Sequence, residues 1–365
     1  MSTEVDSLKI IITGGAGCIG FATIQALLSH HANASIHVLD IIIPSFQYSN
    51  NNIQYHKVDI TNASAVNSSF QAIKPKAIIH TASVIPSAAR KQHFSNERLW
   101  DVNVNGTKNV LNAAEQVGTV EALVYTSSCD AVKPDSWMNF ANANEKDTAY
   151  LMDAEKWDSE YPRTKAAAEK LVLAEERKIK TCAIRTHAVI GTLDQNLFPL
   201  VATSPRKISL GSGKNLYDFS SADNVAQAHV LAMNNLLSID ASAKRRAFFV
   251  SDGRPKPFRE LQEMIWRVVD RNGDNDAVAA QEKSYGGYTA IPVWLFAGIL
   301  RFMRLLGVKT QITPQEIGDA VAVRYYDISE ARSVLGYDPS KKTLEESIRE
   351  ACLWWRQGEG GQGQI

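Results

Sequence analysis

Cysteine is scarce in this chain: Cys18, Cys129, Cys182 and Cys352 are its only four. They are scattered, with no C-x-x-C pair and no clustered histidines. That spacing supports neither a disulfide framework nor a metal site, and a reducing, cytoplasmic setting fits it best. An excess of charge is also lacking. Lys plus Arg and Asp plus Glu both number 39, so nothing electrostatic draws the chain to nucleic acid. Long apolar runs are missing too. The stretch Ile291–Leu300 is broken by Arg301 and Arg304, short of the ~20 residues a membrane span needs. Trp294, Leu295, Gly298, Ile299, Phe302 and Leu306 recur there at helical spacing. They predict an amphipathic helix at 291–306, either packed over the core or a pocket or lying in the plane of a membrane surface. The opening residues Ser2 to Asp6 are polar and acidic and read as no secretory signal.

What is present is an alternation of short apolar runs and helical patterns. Strands are predicted at Leu8–Thr13, Ser35–Leu39, Ile53–Val58, Ala77–His80, Ala122–Thr126 and Thr181–Arg185. Helices are predicted between them, among others at Ile19–Leu28, Val104–Gln116 and Arg163–Arg177. Such alternation predicts crossover units and a parallel sheet. The expected fold is therefore α/β, a Rossmann-type doubly wound sheet with a smaller C-terminal substrate lobe. Residues 1–190 form the sheet domain, with a return segment near 222–250. Residues 191–221 and 251–355 form the lobe, and 356–365, rich in Gly and Gln, are expected to be a disordered tail.

The first strand runs into Gly14-Gly15-Ala16-Gly17-Cys18-Ile19-Gly20, followed by a helix. Gly14, Gly17 and Gly20 permit a tight turn, close approach of backbone to a pyrophosphate, and tight packing of helix on strand. The helix N-terminus then offers free N–H groups to the anion. A glycine pattern alone is common; between first strand and first helix it points to a dinucleotide. Asp40 ends the second strand, twenty residues after Gly20. A carboxylate there accepts hydrogen bonds from a ribose diol and repels a 2′-phosphate, and no Arg or Lys follows through Gln47. NAD is thus expected over NADP. Asp59 and Ile60, after the third strand, are placed to bracket the adenine.

Tyr161-Pro162-Arg163-Thr164-Lys165 opens a helix, and residues four apart share a helix face. The Lys165 ammonium is expected near the Tyr161 phenol and, together with the positive nicotinamide ring, to lower its pKa so that it exchanges a proton with the substrate oxygen as hydride moves. Thr126-Ser127-Ser128 ends the fifth strand, where open α/β sheets hold ligands. Ser128 is the first choice to hold the reacting oxygen and Ser127 the second.

Together these residues resemble the extended short-chain dehydrogenase/reductases, and Asn103 in Asn103-Val104-Asn105-Gly106-Thr107 matches the same pattern. Within that group the chain is similar to the 3β-hydroxysteroid dehydrogenase/isomerase family, which includes fungal sterol-4α-carboxylate 3-dehydrogenases. The similar stretches include Ile79-His80-Thr81-Ala82-Ser83, Tyr125-Thr126-Ser127-Ser128 and Asn215-Leu216-Tyr217-Asp218-Phe219. Others are Asn224-Val225-Ala226-Gln227-Ala228-His229 and Leu335-Gly336-Tyr337, so the likeness runs from about Lys9 to Trp355. It implies that Gly14, Gly17, Ile19, Asp40, Asp59, Ile60, Ala82, Tyr161 and Lys165 touch the cofactor, with Thr186 to Val189 beside the nicotinamide. It also implies a hydrophobic alicyclic substrate: a steroid, sterol or terpenoid-like alcohol or its ketone. Dehydrogenation, the reverse reduction, coupled decarboxylation and double-bond isomerisation all stay open. So do monomer or homodimer, and free cytoplasm or the surface of the endoplasmic reticulum.

Two features depart from the family pattern. The segment Arg185-Thr186-His187-Ala188-Val189-Ile190-Gly191 lacks the family's usual proline and places His187 where substrate or nicotinamide contacts are expected. His187 reads as a packing histidine, or as a proton donor or polar contact to substrate. Cys129-Asp130-Ala131-Val132-Lys133 is more polar than usual. Two competing functions remain. A nucleotide-sugar epimerase or dehydratase usually carries Arg just before the residue matching Asp218, where this chain has Tyr217. A non-catalytic NAD-binding sensor typically loses the tyrosine or the lysine, and both are kept.

Overall fold

The apolar runs lie side by side in one seven-stranded sheet. The computed structural model describes residues 8–44, 48, 50–86, 94–270, 285, 287–307 and 314–357, without the side chains of 304 and 314–316. Across the sheet the order is Ala247–Val250, Lys180–Thr186, Ala122–Ser128, Ala77–His80, Lys9–Thr13, Ser35–Asp40 and Ile53–Lys57. Every neighbouring pair is parallel. From Lys9 the chain steps outward to Ser35 and Ile53, then returns to the other side of the first strand at Ala77. That reversal opens a crevice at the strands' carboxyl ends, where such sheets bind ligands.

Both faces of the sheet are covered, which explains why its strands read as near-continuous apolar runs. Ile10 and Ile12 pack on one face with the helices Cys18–His30 and Ala222–Leu237. Ile11 packs on the other with Ala63–Ile73, Thr107–Val117 and Glu160–Leu173. The same alternation separates Ile79 from Ile78 and Val124 from Leu123. Three isoleucines in a row are thus shared between two cores, and each is fully buried.

Two helix boundaries differ from expectation, for local reasons. The helix expected at Arg163–Arg177 spans Glu160–Leu173. Pro162 falls in its first turn, where no intrahelical N–H is needed. The buried Thr181 hydroxyl donates to Val172 O at 2.6 Å near its other end. The helix expected from Val104 is preceded by Asn96–Trp100 and by a wide, π-type turn at Asp101–Gly106, with the regular part at Thr107–Val117.

A second sheet was not foreseen. It has four strands, in the order Lys256–Pro257, Leu216–Tyr217, Arg324–Tyr326 and Phe140–Ala143. A segment from the first half of the chain therefore pairs with one near the end. The amphipathic helix expected at 291–306 forms at Val293–Leu305. From residue 358 onward the expected tail lies outside the described residues.

Candidate active site

A cavity of about 1120 Å³ runs along the carboxyl ends of the strands, from the glycine loop to the catalytic helix. At the loop, Gly14 has φ +73°, and a Cβ there would stand 2.6 Å from the Ala82 backbone. A Cβ on Gly20 would run into Gly14 O and Gly15 Cα. The helix Cys18–His30 starts at Gly17 with no side-chain cap and no acidic residue in its first turn. Its first N–H groups and positive dipole end are thus available to an anion, as a pyrophosphate requires.

Asp40 lines the same cavity; its Oδ2 accepts from Ala16 N at 3.0 Å and its Oδ1 from Ile42 N at 3.2 Å. Burial lifts its pKa against the pull of these N–H bonds. The carboxylate therefore braces the glycine loop while lining the cavity. Asp59 Oδ1 accepts from Thr61 N and from Thr61 Oγ1, both at 2.9 Å. Asp59, Ile60, Ala82, Ile19, Thr186 and Val189 all line the cavity.

At the other end, the strand Ala122–Ser128 splits its two serines. Successive side chains point to opposite faces. Ser128 Oγ accepts from Asp130 N at 3.1 Å, and Ser128 and Tyr161 line the same end of the cavity, with Ser128 near enough to ease the phenol's ionisation. Ser127 Oγ instead donates to Glu169 Oε2 at 2.5 Å. Ser127 is thus engaged by Glu169, and Ser128 is the serine on the Tyr161 side. Lys165 lies one helical turn after Tyr161, its Nζ donating to Thr126 O at 2.7 Å and standing 4.5 Å from the Tyr125 ring centroid. Asn103, in the wide turn, fastens the catalytic helix to the loop after the fourth strand. Its Nδ2 donates to Thr164 Oγ1 and Val84 O, both at 3.1 Å, and its Oδ1 accepts from Val84 N at 2.9 Å.

The expected lowering of the phenol's pKa draws on Lys165 together with the positive nicotinamide ring. In the protein alone, burial raises the Tyr161 pKa, Asp130 adds to the rise, and Ser128 opposes it. Burial also pushes the Lys165 amine down to about 7, with Glu169 and Asp130 opposing. Low-dielectric surroundings thus disfavour both charged forms.

His187 is a hydrogen-bonded packing residue whose edge lines the cavity. Its Nδ1 meets Asp218 O at 3.1 Å, and its ring lies 4.6 Å from Tyr217 and 5.3 Å from Tyr326. Burial pushes its pKa down to about 3. A neutral ring that donates from Nδ1 keeps Nε2 as an acceptor. Burial thus favours the neutral ring.

Several residues of the site escaped sequence reading. Glu169 is fully buried against Arg185, with Nη2 at 2.6 Å from Oε1. Its signal was available, since it sits four residues past Lys165 on the same helix face. Asp319 and Arg324, which meet Lys133 and Asp130 beside the cavity, carried no local signal.

Known proteins match this arrangement. The sterol-4-alpha-carboxylate 3-dehydrogenase, decarboxylating, of Saccharomyces cerevisiae is 28% identical over 98% of this chain and 99% of its own length. Its Candida albicans counterpart is 30% identical over 98% and 99%, and the human one 26% identical over 95% and 88%. Among solved structures, the UDP-glucose 4-epimerase of Thermotoga maritima superposes with TM-score 0.68 at 18% identity, covering 96% of this chain and 99% of that one. The dTDP-glucose 4,6-dehydratase of Bacillus anthracis, in complex with NAD, gives 0.66 at 17% identity, covering 97% and 98%. At such identities these two show the shared fold alone. A sequence model of the 3-beta hydroxysteroid dehydrogenase/isomerase family matches residues 11–278, and the chain belongs to that family.

Proposed function

We propose that this enzyme oxidises a secondary alcohol of a steroid, sterol or terpenoid-like molecule to the ketone with NAD, or runs the reverse, using Ser128, Tyr161 and Lys165. The observation that carries the proposal is the convergence of Ser128, Tyr161 and Lys165 on one end of the cavity whose other end is the glycine loop. The uncapped helix at Gly17 and the glycine cradle against Ala82 suit a dinucleotide, with Asp40 favouring NAD over NADP. Bound NAD would supply the hydride acceptor and a positive ring beside the phenol. Ser128 then holds the carbinol oxygen, Lys165, anchored at Thr126 O, favours the phenolate form of Tyr161, and that phenolate takes the carbinol proton and becomes the phenol as hydride leaves the carbon. Residues 191–221 and 251–355 form the substrate lobe in this reading.

The helix Val293–Leu305 and Leu306 fit a peripheral membrane contact, as expected of an enzyme of the cytoplasm resting on the endoplasmic reticulum. Trp294, Phe302, Leu305 and Leu306 are 75%, 61%, 85% and 65% exposed. No helix among the described residues is long and apolar enough to cross a membrane. A homodimer interface would cover the same face. Co-sedimentation with anionic vesicles supports the membrane contact, and a concentration-dependent doubling of mass supports the dimer.

Purified protein incubated with NAD and a panel of 3β-hydroxy sterols and terpenoids should release NADH. Tight retention of NAD with no net NADH would favour an epimerase, and binding without chemistry a sensor. In Asp40→Ala the preference for NAD over NADP should fall; an unchanged preference contradicts the ribose role.

A further inference from the structure

The polar residues after Ser128 take no part in the chemistry above. Asp130 sits in the short helix Cys129–Val132, its backbone N–H on Ser128 Oγ and its side chain at the cavity wall. Lys133 Nζ lies 2.7 Å from Asp130 Oδ1 and 2.6 Å from Asp319 Oδ1. Arg324 Nη2 approaches the same Asp319 oxygen at 3.3 Å and donates to Ser136 O at 2.5 Å. Asp319 belongs to the helix Pro314–Val321 and Arg324 to the second sheet. Two carboxylates and two cations from distant parts of the chain thus close on one another with zero formal charge.

Burial works against a charged Asp130, yet Lys133 and Arg324 outweigh it and hold its pKa below the usual carboxylate range. An ionised carboxylate therefore lines the cavity next to Ser128, and its charge is felt at both Tyr161 and His187. Among the described residues the cations lining the cavity are Arg98, Lys133 and Lys165. Arg98 faces Asp101 at 3.4 Å, Lys133 is shared by two carboxylates, and Lys165 serves Tyr161 from Thr126 O. Among the described residues, a further carboxylate arriving beside Asp130 would find each of these cations already engaged. Such like-charge juxtaposition in a water-poor site is how proteins reject a competitor.

We propose that Asp130, locked to Lys133, Asp319 and Arg324, is a specificity-determining residue that turns away substrates with a carboxylate beside the reacting carbinol and commits the pocket to uncharged alcohols. This separates the chain from relatives named for sterol-4-alpha-carboxylates. The proposal rests on the alcohol-oxidation reading, and its test is arranged so that the two can fail separately.

The test uses a matched pair: a 3β-hydroxy-4,4-dimethyl sterol and its 4α-carboxylate counterpart. Both kcat/KM with NAD and equilibrium affinity in the presence of NADH are measured. The wild type should favour the uncharged member by at least ~10-fold in both, on the scale of like-charge juxtaposition at a binding surface. Asp130→Asn should shrink that ratio by at least ~10-fold. Asp319→Asn, which loosens Lys133 from the far side of the quartet, should move the ratio the same way. Wild-type preference for the carboxylate, or a ratio unmoved in both variants, overturns the proposal. Failure of both substrates to yield NADH would count against the oxidation reading, while the affinity ratio would still decide the role of Asp130.

Discussion

Between Gly14 and Gly20 the cavity wall is backbone, whereas between Ser128 and Lys165 it is side chain. At the loop end, the ligand's charge is fixed in place and sign, so peptide N–H groups aligned by a helix suffice. Its acids, Asp40 and Asp59, are tied by neighbouring N–H groups. At the carbinol end a proton must change hands, and backbone cannot titrate. There the chain buries Lys165, Lys133, Glu169, Arg185 and Arg324, each less than 5% exposed. The loop end spends conformational freedom; the carbinol end accepts desolvation.

That contrast predicts which changes cost catalysis and which cost stability. The largest effect belongs to Tyr161→Phe. Turnover should fall at least ~10²-fold while NAD affinity, measured by fluorescence titration, stays within about twofold of wild type if the proton-moving role is separable from cofactor binding. The serines come next and should part company. Ser128→Ala is expected to lower turnover by about 10²-fold with the melting temperature nearly unchanged. Ser127→Ala should instead cost about 1–3 kcal/mol of stability, because it leaves buried Glu169 short of a donor. Chemical denaturation beside steady-state kinetics reads both. Equal effects of the two substitutions on turnover would break the assignment of faces.

At the loop end, Gly14→Ala places a Cβ at positive φ against the Ala82 backbone. More than about 1 kcal/mol of stability should be lost, together with NAD binding, as seen by calorimetry. The smallest effect concerns Asp218, beneath His187. Burial lifts its carboxyl to about 7, against the hydrogen bond from Tyr326 N. The unfolded chain releases that proton near the ordinary carboxylate value. The folded state therefore holds more protons between about pH 4 and 7 and loses stability as pH rises through that window. Asp218→Asn cannot titrate, so it should melt about 2–4 °C above wild type at pH 8, with the gap closing toward pH 4. A pH-independent gap would contradict the buried titration.

The loop end was legible in the sequence because its signal is local. Gly14, Gly17 and Gly20 sit between a strand and a helix, and Asp40 follows at the next strand end. The pair Tyr161 and Lys165 was legible for the same reason, since a helix turn is four residues. The serines were only half legible: alternation separates Ser127 from Ser128, but which face meets Tyr161 depends on where the catalytic helix packs. The burial that raises the Tyr161 pKa was not legible, because burial is a tertiary property. The quartet was invisible, since Asp130 meets Asp319 through Lys133 only after the chain has folded back. So was the second sheet, where Phe140–Ala143 pairs with Arg324–Tyr326.

The most direct test is a crystal structure of the ternary complex with NADH and the ketone of a substrate found in the panel. The account predicts Tyr161 Oη and Ser128 Oγ both at about 2.6–3.2 Å from the ketone oxygen, with the nicotinamide C4 facing the carbonyl carbon. A ketone oxygen held by other groups, or a Tyr161 hydroxyl turned away from the nicotinamide, would contradict it.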